Sequence, residues 1–260
     1  MFDERIVENN IFSFATNELS QDAFICWCLN WINMPVRDDN ASGRQFGSQF
    51  LSRLLNGAYD VSKVNRVYIF RQLLNIDVLV LVPELQAALI IEDKTSSQEH
   101  GNQINRYKCL LSKTFKSNQY NGLDIYQHLS DNKKEQQQKR DGTACWGAVN
   151  SIRWALRDEP GEFDLSKYTI HTAYLKTDWF NDDDWNTVRE LEKDPKVNTY
   201  VDGPEFLSLL LSCREWNNPI LMSFVDYLRS KIRTTIEHSC FWRYYKDVDG
   251  HIRFYIQDTA

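Results

Sequence analysis

The chain has 260 residues, of which 42% are hydrophobic, 13% aromatic and 25% charged, with a formal net charge of −6. That length suits one elaborated domain able to bury a large core without staples, and the composition excludes an intrinsically disordered chain. The net charge argues against a protein that coats nucleic acid nonspecifically, while leaving room for a local basic groove. No apolar run approaches the ~20 residues of a membrane span, and the opening MFDERIVENN is too charged for a signal peptide. A cytoplasmic location is therefore expected. Cys26, Cys28, Cys109, Cys145, Cys213 and Cys240 form no CxxC pair and no cysteine–histidine zinc spacing, so buried free thiols in a reducing compartment are the expectation.

In chain order, Thr16–Ile32 places apolar residues at 19, 23, 24, 27, 28 and 31, a helical spacing with Thr16 or Ser20 as N-cap. A second helix is predicted over Gln45–Leu55. Three strand-like runs follow between Val64 and Lys94: VNRVYIF, IDVLVLV and AALIIEDK. The capping-box spacing of Ser96 and Glu99 opens a helix that runs to about Phe115. Residues 117–165 read as an insertion, with the polar stretch Asp131–Gly142 its mobile part. Tyr168–Thr177 is expected as a buried strand, Asp182–Asp184 as a solvated acidic loop, Pro204–Cys213 and Asn218–His238 as helices. Phe241–Ile256 is expected as a hairpin turning at Asp249-Gly250. Strands alternating with helices give an α/β class.

The segment Ile76–Lys94 carries the chemistry. Closing it as a hairpin, with either Glu84-Leu85 or Pro83–Gln86 as the loop, pairs residues whose numbers sum to 169. Asp77 then falls opposite Glu92, and strand alternation puts Lys94 on the same face. The remaining positions are apolar on both faces, as in strands from the interior of a sheet. Two opposed carboxylates, roughly 5 Å apart at Cβ, repel each other. A hard divalent cation such as Mg²⁺ relieves that repulsion with one or two protein carboxylates, waters and phosphate oxygens. The competing reading is that these charges mark where the strand leaves the core, with Lys94 simply paired to Glu92.

Asp77 on one strand and Glu92-Asp93-Lys94 on the next resembles the PD-(D/E)XK nuclease superfamily. A leading helix carries Glu18, the helix after the hairpin carries Gln103-x-x-x-Tyr107 like the QxxxY element of an exonuclease-like branch, and the order helix, hairpin, helix, strand is similar to that superfamily's core. The likeness covers residues 12–116 and 168–178, and AALIIEDK and NQINRYK are most like a prokaryotic branch of nuclease-like proteins. It implies a restriction-endonuclease-like α/β fold, a central mixed sheet flanked by helices. It implies Asp77 and Glu92 as metal ligands, the Asp93 backbone carbonyl as a third, and Lys94 as the catalytic lysine beside the attacking water. Glu18 would help to bind metal from the helix, Gln103 would steady the site or touch substrate, and Tyr107 would support it one turn later. The implied cofactor is Mg²⁺, with Mn²⁺ as a substitute, and the implied substrate is DNA or RNA; a homodimer stays open. Ile76 stands where the superfamily often has proline.

On this reading the whole chain, 1–260, is one nuclease-like domain, with its core at about 12–116 and 168–178, an insertion at about 117–165 and a C-terminal helical and hairpin extension at about 200–260. The runner-up is a nucleic-acid-binding or regulatory module that keeps the fold without cleaving. A third reading is a protein-interaction component in which the charges are structural. Glu18 near a helix start also suits the helix dipole, and Tyr107 also suits a core position. The five histidines show no ligand spacing. Two basic stretches, Lys133–Arg140 and Arg229–Lys246, the second interleaved with aromatics, suit single-stranded nucleic acid as well as a solvated helix face and a core hairpin.

Overall fold

The computed structural model describes residues 17–35, 41–95, 103–117, 133, 136, 147–157, 164–177, 182–212, 216, 218–237, 242–246 and 252–256. Helices α1 (Asn17–Asn30) and α2 (Ala41–Leu54) lead into β1 (Tyr68–Leu73), β2 (Ile76–Val82) and β3 (Ala87–Lys94). Then come α3 (Gln103–Ser117), β4 (Thr169–Lys176), α4 (Asp182–Leu191), β5 (Asn198–Val201), α5 (Gly203–Leu211), α6 (Pro219–Glu237), β6 (Trp242–Lys246) and β7 (Ile252–Ile256). The first five strands form one sheet in the order β1-β2-β3-β4-β5, and β6 and β7 pair separately. β1, β2 and β3 are antiparallel neighbours, whereas β3, β4 and β5 run parallel.

β2 and β3 lie inside the sheet, which explains why nearly every residue along them is buried. Alternation divides them between two cores. Val78, Val80, Val82, Ala87, Leu89 and Ile91 pack with residues of α1, α2, α5 and α6, while Leu79, Leu81, Ala88 and Ile90 pack under α3 and a helical stretch at 147–155. α1 and α2 approach closely through Gly47, where a Cβ would lie 2.9 Å from the Cys28 carbonyl oxygen. Phe24 of α1 stacks on Phe224 of α6 at 3.7 Å between ring centroids, so the C-terminal helices close the same core that the N-terminal helices open.

The hairpin register is the expected one: Val78 faces Ile91, Leu79 faces Ile90 and Val82 faces Ala87. Its connection is the four-residue option, a 3-10 turn over Pro83–Leu85 followed by Gln86 in the left-handed region at φ 48°. Several expectations need correction. α1 and the turn after it bury only part of the stripe: Phe24 and Cys28 are in the core, but Ala23 is exposed and Trp27 and Trp31 are half-buried, while Gln21, Asp22, Ile25, Leu29 and Ile32 also face inward. The helix is turned so that polar residues reach the sheet. α2 starts four residues earlier than predicted, and β1 begins at Tyr68, not Val64, because Asn33 pairs with the Val67 backbone in place of a strand (Val67 N–H to Oδ1, 2.8 Å). The 147–155 helix, within the expected insertion, and the short strand β5 were not predicted.

Asp182–Asp184 is not a solvated loop but the first turn of α4, with Asp184 buried. The Ser96–Glu99 capping box, the polar stretch Asp131–Gly142 (Lys133 and Gln136 apart) and the Asp249-Gly250 turn lie outside the described residues. Cys28 is buried and Cys26 half-buried, both free, and burial raises the Cys26 thiol to about 12, so it stays protonated.

Candidate active site

The site end of the sheet lies where β3 and β4 finish and β2 begins. Continuing the β2–β3 register by one residue sets Asp77 opposite Glu92. The geometry follows: Lys94 Nζ is 2.6 Å from Glu92 Oε1 and 3.9 Å from Asp77 Oδ2. Glu92 is 1% exposed and Lys94 8%, so two carboxylates and an ammonium share a face with little water to screen them. Asp77 is half-buried, and its Oδ2 accepts the Asp93 backbone N–H at 3.0 Å, carrying the hairpin pairing one step further through a side chain.

α3 lies over this face. Gln103 Nε2 donates to the Tyr107 hydroxyl at 3.4 Å, and the Arg106 guanidinium sits 5.1 Å above the Tyr107 ring. Burial raises the Tyr107 hydroxyl pKa, and the negative charge of Glu92 adds to the effect. The helix brings Tyr107 close enough to feel the Glu92 charge and sets Gln103 one turn before it, while the Tyr107 ring itself is buried in the core under α3. Asp93 projects the other way, toward α1. The Gln21 side-chain amide donates to its Oδ1, and its Oδ2 makes no hydrogen bond. Burial holds the Asp93 carboxyl well above the usual range, reinforced by the neighbouring Asp22 and Asp77 charges. Its charge in turn helps to raise Tyr227 of α6, after burial.

Asp22, Gln21 and Gln72 are the residues that sequence reasoning missed. Gln72 Nε2 lies 3.2 Å from Asp22 Oδ2 and 3.4 Å from Asp77 Oδ1, bridging an acid on α1 to one on β2. Gln72 has a left-handed φ of 54°, a conformation that costs energy in a non-glycine residue. The available signal was a polar Gln21-Asp22 pair on the buried side of an apolar helix, one turn after Glu18 and on its face. Glu18 itself lies in the first turn of α1, and its side chain is outside the described residues.

One strand further along, Lys176 is 2% exposed and ion-paired with the buried Asp184, which also accepts the Tyr174 hydroxyl at 2.6 Å. Of the basic candidates, Lys133 and Arg229 are exposed, and Arg229 lies 3.5 Å from Asp226. The side chains of Lys134, Lys139, Arg140, Lys231, Arg233, Arg243 and Lys246 are outside the described residues, as is His100. His171 is buried, with Nε2 2.8 Å from the Tyr59 hydroxyl, and burial lowers its pKa to about 4.

A mixed five-stranded sheet between helices, with an opposed acid pair and a lysine at the end of its central hairpin, defines a restriction-endonuclease-like fold. A family model of the PD-(D/E)XK nuclease superfamily matches residues 9–193, and the chain belongs to that superfamily. Neither the curated proteins nor the solved structures gave a match. Members of the superfamily typically use divalent metals. Among the described residues, no three histidine, cysteine, aspartate or glutamate side chains are grouped around a common point where a metal ion would sit. The donor set still fits a hard cation: Asp77 and Glu92 offer oxygens aimed at one positive group, now the Lys94 ammonium, and Mg²⁺ often takes only one or two protein carboxylates. No helix among the described residues is long and apolar enough to cross a membrane.

Proposed function

We propose that the chain hydrolyses phosphodiester bonds of DNA or RNA at Asp77, Glu92 and Lys94, with Mg²⁺ or Mn²⁺ as cofactor. The observation that carries this reading is the convergence of two carboxylates from adjacent strands on one lysine ammonium, at a mostly buried end of the sheet, in a chain of the PD-(D/E)XK superfamily.

Asp77 and Glu92 would hold the cation, and the Asp93 backbone carbonyl would be a third donor. When bound, the cation supplies Lewis-acid charge to the scissile phosphate. Lys94 orients the attacking water and offsets the negative charge that grows on the phosphate oxygens; a fixed ammonium in a poorly solvated site does this without reorganising. Its close ion pair with Glu92 sets where the ammonium waits, with Asp77 at the longer distance. Tyr107, steadied by Gln103, closes the α3 side next to Glu92. From α1, Asp22 adds a supporting acid beside the expected Glu18, linked to Asp77 through Gln72.

A second reading, a nucleic-acid-binding or regulatory module that does not cleave, draws on the closed Lys94–Glu92 pair, a resting arrangement that is also a purely structural one. One assay separates the two. Wild type and Lys94→Ala are incubated with double-stranded DNA, single-stranded DNA and RNA in Mg²⁺, Mn²⁺ or EDTA. Cutting that needs metal and vanishes in the variant supports the nuclease; nucleic-acid binding without cutting in any condition supports the second reading.

A further inference from the structure

The parallel register of β3 and β4 sets Lys176 directly beside Lys94, and Tyr174 beside Glu92. Alternation points all four side chains to the α3 face. Two buried lysines thus share adjacent positions on one face, an arrangement that like-charge repulsion disfavours. The repulsion is managed by separate partners on opposite sides. Lys94 is drawn back along its strand to Glu92 and toward Asp77 on β2. Lys176 is drawn the other way to Asp184 of α4, which a second hydrogen bond from Tyr174 holds in place.

Stability alone does not account for the Lys176–Asp184 pair. A buried ion pair seldom outperforms an apolar pair of similar volume, because both charges lose their water. The location supplies a better reason. Glu92 and Lys176 are diagonal neighbours across the β3–β4 pairing, a separation that long side chains span. A Lys176 without its own anion would have Glu92 as the nearest carboxylate on its face of β3.

We infer that Asp184 is a positioning residue for the candidate site: by holding Lys176 away from Glu92, it leaves that carboxylate to Lys94 and to the divalent cation. The inference rests on the reading of Glu92 as a metal ligand. It extends the machinery to α4, through a residue that touches neither substrate nor metal.

The test is Mn²⁺ binding by the full chain, followed by isothermal titration calorimetry, with folding checked by circular dichroism. Asp184→Asn is expected to weaken Mn²⁺ binding about 10-fold, the low end of the loss seen when a direct outer partner of a metal ligand is removed, because Asp184 acts on Glu92 only through Lys176. Adding Lys176→Gln to that variant should restore wild-type affinity, since no stray ammonium remains to compete. Tyr174→Phe removes one of the two groups on Asp184 without burying a new charge, and it should give a smaller loss in the same direction. A folded Asp184→Asn that binds Mn²⁺ like the wild type overturns the inference, as does a double variant that stays as weak as the single one. Should Asp184→Asn fail to fold, the other two variants decide: unchanged affinity in Tyr174→Phe, or weak binding in the double variant, overturns it. Glu92→Gln separates this from the underlying reading. If Glu92→Gln binds Mn²⁺ as the wild type does, or the wild type binds none, the metal site itself is wrong and the inference falls with it. If Glu92→Gln alone loses binding, only the inference fails.

Discussion

The two ends of the same sheet treat buried polarity in opposite ways. At the end where β3 and β4 finish, Glu92, Asp93, Lys94 and Lys176 are each 8% exposed or less, and the lysines are held by carboxylates. Toward the other end, the buried titratable group on β4 is His171, which meets the Tyr59 hydroxyl and whose pKa burial lowers to about 4. One end stores charge in lysine–carboxylate pairs, with the Asp93 carboxyl beside them pushed toward its neutral form by burial, whereas the other holds a titratable group that burial also favours neutral. Charge inside a protein is costly unless it is paired, so the charged end depends on each lysine keeping its carboxylate.

That contrast can be broken at either end. The largest effect is expected from Lys176→Met, which leaves Asp184 buried without its cation. It should cost about 3–5 kcal/mol in denaturant unfolding, and saturating Mn²⁺ should leave the gap to wild type unchanged. Lys94→Met is the informative partner, because its two stranded carboxylates attract a divalent cation. Its melting temperature should fall without metal and recover with Mn²⁺, as ligand binding to the folded state requires. Next, Lys94→Ala should lower the rate of metal-dependent cleavage about 10²- to 10³-fold while substrate binding changes little, the scale expected for losing a fixed group that stabilises developing charge.

At the other end the lever is pH. His171 titrates near 4 when folded and near 6.5 when unfolded. Above pH 6.5 neither state carries the proton, so the residue adds no pH dependence there. As pH falls from 6.5 toward 4, the unfolded chain takes up a proton that the folded one refuses, and stability drops by roughly 3 kcal/mol. His171→Gln should flatten that part of the stability–pH curve, and an unchanged slope would sink the assignment. The smallest effect is expected from Tyr59→Phe, about 1 kcal/mol for one hydrogen bond, measured at pH 7.5 where His171 is neutral in both states.

What the sequence made legible is what local rules determine. Strands apolar on both faces belong inside a sheet, and a short loop between two of them leaves one register, so Asp77, Glu92 and Lys94 could be set together from numbering alone. Gln103 and Tyr107 came from the resemblance to a QxxxY element, and helical spacing added only that they lie one turn apart. What stayed hidden depends on packing between distant segments. Asp22 and Gln72 reach Asp77 from α1 and β1, and nothing in the spacing from 22 to 72 to 77 announces it. Asp184 sits in a run of three aspartates that looks solvated, because its partner Lys176 lies on a strand whose neighbour is known only once α4 docks. β5 has four residues, Asn-Thr-Tyr-Val, too short and too polar to stand out without the sheet edge that receives it.

The turn between β2 and β3 has a reach out of proportion to its size. Its four residues keep every cross-strand pair summing to 169, and with it the parity that puts Asp77 and Glu92 on one face. Asp77 lies five residues from Val82, or about 17 Å along the strand. An exposed loop tip is ordinarily where a chain accepts insertions most readily. Here a single added residue must bulge outward or slide one strand past the other, and a one-residue slide sends the two carboxylates to opposite sides of the sheet. Gln86, already left-handed and anchored by its carbonyl to Thr169 N–H at 2.8 Å, limits how freely the turn can absorb the extra residue. In a scan of single-residue insertions, this distant corner should rank with the site itself as a place where function is lost in a protein that still folds.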